Sequence, residues 1–218
     1  MIPLKDENFS ETFPIFTLGI IIANILVFIW QINLLTQHID ITKVFGMRPA
    51  LLIREPDSLH YATIMTSMFL HGGFIHLLGN MWFLWIFGNN IEDALGHFRF
   101  LLFYFLSGIG AAAVHMLTNS NSFMPTIGAS GAISGVMGAY ILLFPQARIV
   151  TLLPLFFIWQ IIRVPAFFFL GFWFVYQFIG GTAEGLNTGG GIAWFAHVGG
   201  FLTGMLFIKI TPKRRGFR

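Results

Sequence analysis

At 218 residues the chain is 56% hydrophobic, carries only 10% charged residues and includes 27 Phe, with a formal net charge of +3. A soluble domain carries about a quarter charged residues, so this composition excludes a soluble globular surface and indicates a polytopic membrane protein. Cysteine is absent, which removes disulfides, thiol catalysis and cysteine-ligated metals, and the small positive charge is a topology signal, not a nucleic-acid footprint.

Lys5 is followed by Asp6, Glu7 and Glu11, and no small-residue cleavage site closes the first apolar run. No signal peptide is expected, and the run is retained as a helix. Spanning a bilayer takes about 20 mostly apolar residues. Six segments qualify, some only with flanking polar residues accepted: 16–33, 75–91, 100–117, 130–144, 164–180 and 192–210. The expected fold is an all-α membrane protein, a bundle of six transmembrane helices forming one domain over 1–218. A short N-terminal segment (1–14) and a basic tail (211–218) flank it. The connection 34–73 is too long for a plain turn and is interrupted by Pro49 and Pro56. It is expected to be a structured, partly interfacial loop with short amphipathic helices. The fourth segment is short, and its entry loop is tolerated at depth only where it is buried in protein or lines a water-filled cavity. The glycine-rich stretch 180–191 is expected to be a flexible loop, either a plain connector or a mobile cap beside the sixth helix.

Six spans put both termini on one side. That side carries Lys5, Arg99, Arg148, Arg163, Lys209, Lys213, Arg214, Arg215 and Arg218, against Lys43, Arg48 and Arg54 on the other. The positive-inside rule then places both termini in the cytoplasm. Ser130 opens the fourth span at its outer end. His197 lies a few residues into the sixth, about 8 Å along its axis from residue 192. The two are therefore expected at comparable depth.

A serine needs a base to become a nucleophile. The spans hold no lysine well inside, no aspartate pair and no His-Glu-x-x-His, so Ser–Lys, aspartyl and zincin-type chemistry lack residues. No metal or other cofactor is expected. His197 is the strongest base candidate, because an imidazole with pKa near about 6.5 accepts and returns protons at neutral pH. The alternative is a histidine bonded to a neighbouring helix for structure alone. Gly131 and Gly135, and Gly200 and Gly204, form two G-x-x-x-G faces that let helix backbones approach closely. They serve either plain helix packing or the meeting of Ser130 with His197. His76 and Asn80, four apart, project from one helix face near the depth of Ser130. They are either oxyanion donors, with the Ser130 N–H, or polar glue between helices. His71, nearer the surface, reads as a structural hydrogen-bonding group, as does Glu92 at the far end of the second span. His115 and Ser134 read as packing residues.

Together these residues resemble the rhomboid family of intramembrane serine proteases. The resemblance rests on Gly128-Ala129-Ser130-Gly131, Ala196-His197 with Gly200 and Gly204, His71 through His76 to Asn80, and Gly88 to Glu92. These motifs occur in family order over most of the chain, and the unadorned six-span core looks like the basic bacterial form. The resemblance implies a Ser–His dyad without a third acid, Ser130 as nucleophile and His197 as general base. It implies an oxyanion hole of His76, Asn80 and the Ser130 N–H, and a water-accessible cavity. The implied partners are the lipid bilayer and transmembrane-helix protein substrates cleaved at a small residue, with no nucleic acid. The implied setting is a bacterial inner membrane. Two departures stand out. Gly46-Met47-Arg48-Pro49 replaces the Trp-Arg of many members. Ser134 occupies the place where some members have a tyrosine that stacks on the histidine, so stacking on His197 falls to a Phe or Trp from elsewhere. A catalytically silent module that binds transmembrane helices and a small-solute transporter are the rival functions.

Overall fold

The computed structural model describes residues 1–155, 158–184, 193–214 and 216. Strand β1 (Ile2–Asp6) and helix α1 (Ile15–Thr36) come first. The long connection holds α2 (Thr42–Phe45), α3 (Pro49–Arg54), α4 (Ser58–Thr66) and a 3₁₀ turn at Ser67–Phe69. Then follow α5 (Phe74–Leu95), α6 (His97–Thr118), α7 (Ser130–Leu143), β2 (Arg148–Leu155), β3 (Ile158–Pro165), α8 (Ala166–Glu184) and α9 (Trp194–Ile210).

Each of the six apolar segments contains a helix, but the helices are not equivalent as spans. Among the described residues three helices, α1, α6 and α8, are long and apolar enough to cross a membrane. A fourth exists if Ser58–Phe69 and Phe74–Leu95, bent by 80°, count as one broken span. His76, Asn80, Asn89 and Asn90 dilute the apolar character of α5. Helix α7 has only 14 residues, about 21 Å at 1.5 Å per residue, against roughly 30 Å of hydrocarbon. The stretch expected to be a loop from residue 180 is helical through Glu184; residues 185–192 lie outside the described residues, as do Arg215 and Arg218 of the basic tail.

The all-α expectation is corrected by a three-stranded antiparallel sheet of order β1-β2-β3. β2 and β3 pair from Arg148↔Pro165 to Leu155↔Ile158, and β1 joins β2 through Ile2↔Leu152 and Asp6↔Ile149. The cause is local. Ile149, Val150, Thr151, Ile161, Ile162 and Val164 are β-branched and favour extended backbone over helix. Val164 also precedes proline, which biases it away from the helical region, so α8 begins only after Pro165. On edge strand β1 the register shifts between Pro3 and Lys5, where the missing proline N–H removes a ladder donor.

The core is organised around α7. Every residue from Gly131 to Ile141 is buried, the mark of a helix apolar or small all round. It packs against α9 and α6 through small residues. A Cβ on Gly200 would strike the carbonyl oxygen of Gly131, and one on Gly204 the carbonyl oxygen of Gly135. A Cβ on Gly131 would lie 2.6 Å from the Cβ of Ala111 on α6. Both G-x-x-x-G faces therefore meet backbone to backbone, closer than side chains would permit.

At the end of the bundle away from Ser130, carboxylates bind helix and chain ends. Buried Glu92 accepts from the amides of Phe16 (2.9 Å) and Thr17 (2.7 Å) and bonds His97 Nδ1 (2.6 Å). It thereby caps the orphan donors at the start of α1 and places negative charge at that helix N-terminus. Asp93 accepts from the amides of Glu11 and Thr12, both at 3.1 Å, and pairs with Arg214 at 3.2 Å, joining both chain ends to the α5–α6 corner.

In β1, Asp6 accepts a 2.6 Å hydrogen bond from Tyr140 at the far end of α7. Burial raises its pKa from 3.8 to about 6 despite that bond. The folded state thus holds the proton more tightly than the unfolded chain. The stabilisation is full below pH 3.8 and is lost as pH rises through about 6. Asp6→Asn, which keeps an acceptor for Tyr140, is expected to be more stable than the parent at pH 7 by on the order of 1–2 kcal/mol, the shift discounted for partial exposure. The two proteins converge near pH 4. Thermal melts of both across pH 4–7 check this; parallel curves would refute it.

Candidate active site

Ser130 is the first residue of α7, entered by Gly128 and Ala129. Gly128 has φ +124°, a region that disfavours any side chain, and its amide donates to the Ser67 carbonyl at 2.9 Å. A Cβ there would lie 2.8 Å from Cε1 and 2.9 Å from Nε2 of His76. The glycine therefore lets the loop pass under His76 and deliver Ser130 beside it. As a first-turn residue Ser130 has an amide N–H with no intrahelical acceptor, pointing along the positive end of the helix.

His197 lies in the first turn of α9, nearer the helix start than the sequence suggests, because α9 begins at Trp194. Its Nε2 is 2.8 Å from Ser130 Oγ. The meeting follows from the glycine contacts, since Gly200 fits over Gly131 one residue after Ser130 and three after His197. Nδ1 of His197 is 2.8 Å from Oε1 of Gln177 on α8. The Trp173 ring, one turn earlier on α8, lies 6.0 Å from the imidazole centroid at 38°. Ser134 donates to the Ser130 carbonyl at 2.6 Å, back-bonding along its own helix and leaving the imidazole face to Trp173.

His76 and Asn80 lie one turn apart on α5 and flank Ser130. Asn80 is buried, and its Nδ2 has no protein partner; a buried amide donor without an acceptor is costly and suits a site that a ligand completes. Two sizeable cavities reach the serine, beside a small one of about 40 Å³. One, of about 520 Å³, has a mixed wall in which His76, Asn80, His115, Asn119, Ser130 and His197 stand among apolar residues such as Met124 and Ile127. The second, of about 230 Å³, opens between α5 and α8 and is walled by Ile75, Phe83, Ile133, Met137 and Trp173.

The remaining singled-out residues sort by distance. His71 is buried, its ring edge-on to His76 at 5.1 Å. Its backbone exchanges two hydrogen bonds with the Gln31 side chain (2.7 and 3.1 Å), pinning the loop to α1. Glu92 is at the opposite end of α5 from Asn80. His115, expected to be a packing residue, lines the larger cavity and bonds Thr126 Oγ1 at 2.8 Å. Sequence reasoning passed over Gln177 and Trp173. The available signal was Gln177 itself, a lone amide in an apolar span, since such a group faces a partner or a cavity. Among the described residues no cluster of His, Asp and Glu could hold a metal ion.

A sequence model described as Rhomboid domain matches residues 58–214. The chain is 35% identical over 159 residues to "RHOMBOID-like protein 6, mitochondrial" of Arabidopsis thaliana, covering 71% of this chain and 45% of that protein. It is 30% identical over 142 residues to "Presenilin-associated rhomboid-like protein, mitochondrial" of Homo sapiens, covering 63% and 35%. It is 32% identical over 151 residues to "Rhomboid protein 1, mitochondrial" of Saccharomyces cerevisiae, covering 66% and 40%. The chain spans less than half the length of these curated relatives. Their names overturn the bacterial inner membrane, and with it a cytoplasmic address for the termini. The bacterial setting rested on the likeness of the unadorned six-span core to the basic bacterial form, and a core alone does not say which membrane holds it. Lysine and arginine asymmetry gave the side of the termini, and it reports orientation across a bilayer without saying whose bilayer it is.

Proposed function

This chain belongs to the rhomboid family, and from that premise we propose that it is an intramembrane serine endopeptidase cutting transmembrane segments of membrane proteins through Ser130 and His197. The observation that carries the reading is the 2.8 Å approach of His197 Nε2 to Ser130 Oγ. In this mechanism the Ser130 oxygen bonds to the scissile carbonyl carbon while His197 Nε2 takes the hydroxyl proton. The oxyanion is met by the Ser130 N–H, Asn80 and His76. Collapse breaks the C–N bond, and His197 returns the proton to the leaving amine. Water then attacks the acyl-enzyme, its proton passing to His197 and on to the Ser130 oxygen as the acid departs.

Water reaches the serine through the larger cavity, along its polar side chains. The apolar cavity between α5 and α8 admits the substrate helix from the side. All six apolar helices contribute to the membrane-embedded body, α7 and α9 as short central helices shielded by the others. The mitochondrial names of the relatives support a mitochondrial membrane as its setting. A fluorophosphonate probe tests the reading. Covalent labelling of the wild-type chain at Ser130 is expected; a folded wild-type protein that never labels but still captures transmembrane helices would be a silent binding module instead.

Asn80→Ala is expected to lower kcat by about 10²–10³-fold, the usual effect of deleting one oxyanion donor, with little change in KM or thermal stability. Steady-state kinetics on a reporter transmembrane substrate decide it; an unchanged kcat removes Asn80 from the oxyanion role.

A further inference from the structure

A dyad needs its histidine held in one tautomer and one orientation. Neutral imidazole carries one N–H, and only the form with the proton on Nδ1 leaves Nε2 free to accept from serine. Nothing on α7 or α9 supplies a partner for Nδ1, and Ser134 turns its hydroxyl to the Ser130 carbonyl. The partner comes from α8. Gln177, 6% exposed, directs Oε1 at His197 Nδ1 across 2.8 Å. Trp173, four residues earlier and so on the same face of α8, lies against the imidazole at 6.0 Å and against Phe201 at 6.1 Å.

We propose that Gln177 is a positioning residue that completes the dyad into a Ser130–His197–Gln177 relay of hydrogen bonds, with Trp173 holding the plane of the ring. The proposal rests on the proteolytic reading above, but its central claim concerns the tautomer and stands apart from turnover. The amide acts through its oxygen. Accepting from Nδ1–H keeps Nε2 unprotonated at rest and stabilises the imidazolium once the serine proton arrives, without a buried acid. The opposite amide orientation would donate to Nδ1 and force the proton onto Nε2, aimed at the serine, which disables the base. Nothing is transferred to Gln177 at any step; protons travel only between Ser130, His197, substrate and the hydrolytic water.

The test compares wild type with Gln177→Met, close in length and without an acceptor, and Gln177→Glu, whose ionised oxygens only accept. Gln177→Met is expected to lower kcat about 10–100-fold, the range of one hydrogen bond to a group that becomes charged, with KM unchanged. Gln177→Glu is expected to stay within a few-fold of wild type. Nitrogen-15 NMR of labelled histidine supplies the readout a merely structural role would not move: a single Nδ1–H tautomer at His197 in wild type and in Gln177→Glu, and a mixture in Gln177→Met. If Gln177→Met keeps both kcat and the single tautomer, the proposal is wrong. If wild type is inactive yet Gln177→Met still scrambles the tautomer, the proteolytic reading falls while the positioning role stands. If Gln177→Met is unfolded, Gln177→Glu decides alone. Loss of the single tautomer with the fold retained would overturn the proposal.

Discussion

Ser130→Ala is expected to abolish fluorophosphonate labelling and to lower kcat on a reporter transmembrane substrate by about 10⁴–10⁶-fold, the scale seen when a serine nucleophile is deleted. The substitution removes one oxygen from a helix start whose geometry is set by other groups. Gly128 turns the chain with φ +124° and bonds Ser67, while Gly131 and Gly135 hold α7 against α9. The melting temperature should therefore hardly move while turnover collapses. His197→Ala should cost about as much, and the double substitution little more than either alone, because two groups that act only together are not additive. Cleavage that survives Ser130→Ala with its site unchanged would remove Ser130 from the chemistry altogether.

Gly204→Ala is expected to damage both fold and turnover although Gly204 touches no part of the site. The added methyl has to occupy the place of the Gly135 backbone, whose Cα would lie 2.6 Å from it. Backbone cannot rotate aside as a side chain can, so α7 and α9 must separate. Overpacking of this kind destabilises by about 1–3 kcal/mol or more. The same separation draws His197 away from Ser130, and an ångström of misplacement is worth about 10²-fold in rate. Gly204→Ala should therefore lower melting temperature and kcat together. Gly19→Ala in α1, where a Cβ meets nothing within 4 Å, is the control and should be neutral or stabilising by up to about 1 kcal/mol. Parental stability and turnover in Gly204→Ala would show that the two helices have slack to give.

These expectations draw unequally on sequence and structure. The helices were legible because a run of apolar residues signals burial whatever it packs against, and bounds such as 194–210 against 192–210 differ by a turn at most. The sheet was not legible by the same test. Window hydropathy cannot separate an apolar hairpin from a helix, and only the β-branched cluster at Ile149–Thr151 and Ile161–Val164 marked it. The count of spans was legible only in part, three or four helices among the described residues being long and apolar enough to cross, for a related reason. Hydropathy sums composition, whereas crossing a bilayer also needs length, which α7 lacks.

The candidate residues Ser130, His197, His76 and Asn80 were legible because an alcohol, an imidazole or an amide in an apolar span demands a partner, and small spacings predict which helices touch. Sequence by itself determined which residues were there to weigh: a serine expected at a glycine-lined helix start, a histidine expected at similar depth, and no lysine well inside a span, acid pair or thiol to compete. Only the tertiary structure decided what holds the imidazole. Gln177 and Trp173 come from a third helix, with no sequence spacing that ties them to His197. A hydrogen bond of 2.8 Å between helices depends on the rotation and depth of each about its own axis. Those are set by how glycines, strands and chain ends pack across the whole bundle, and no local pattern encodes them.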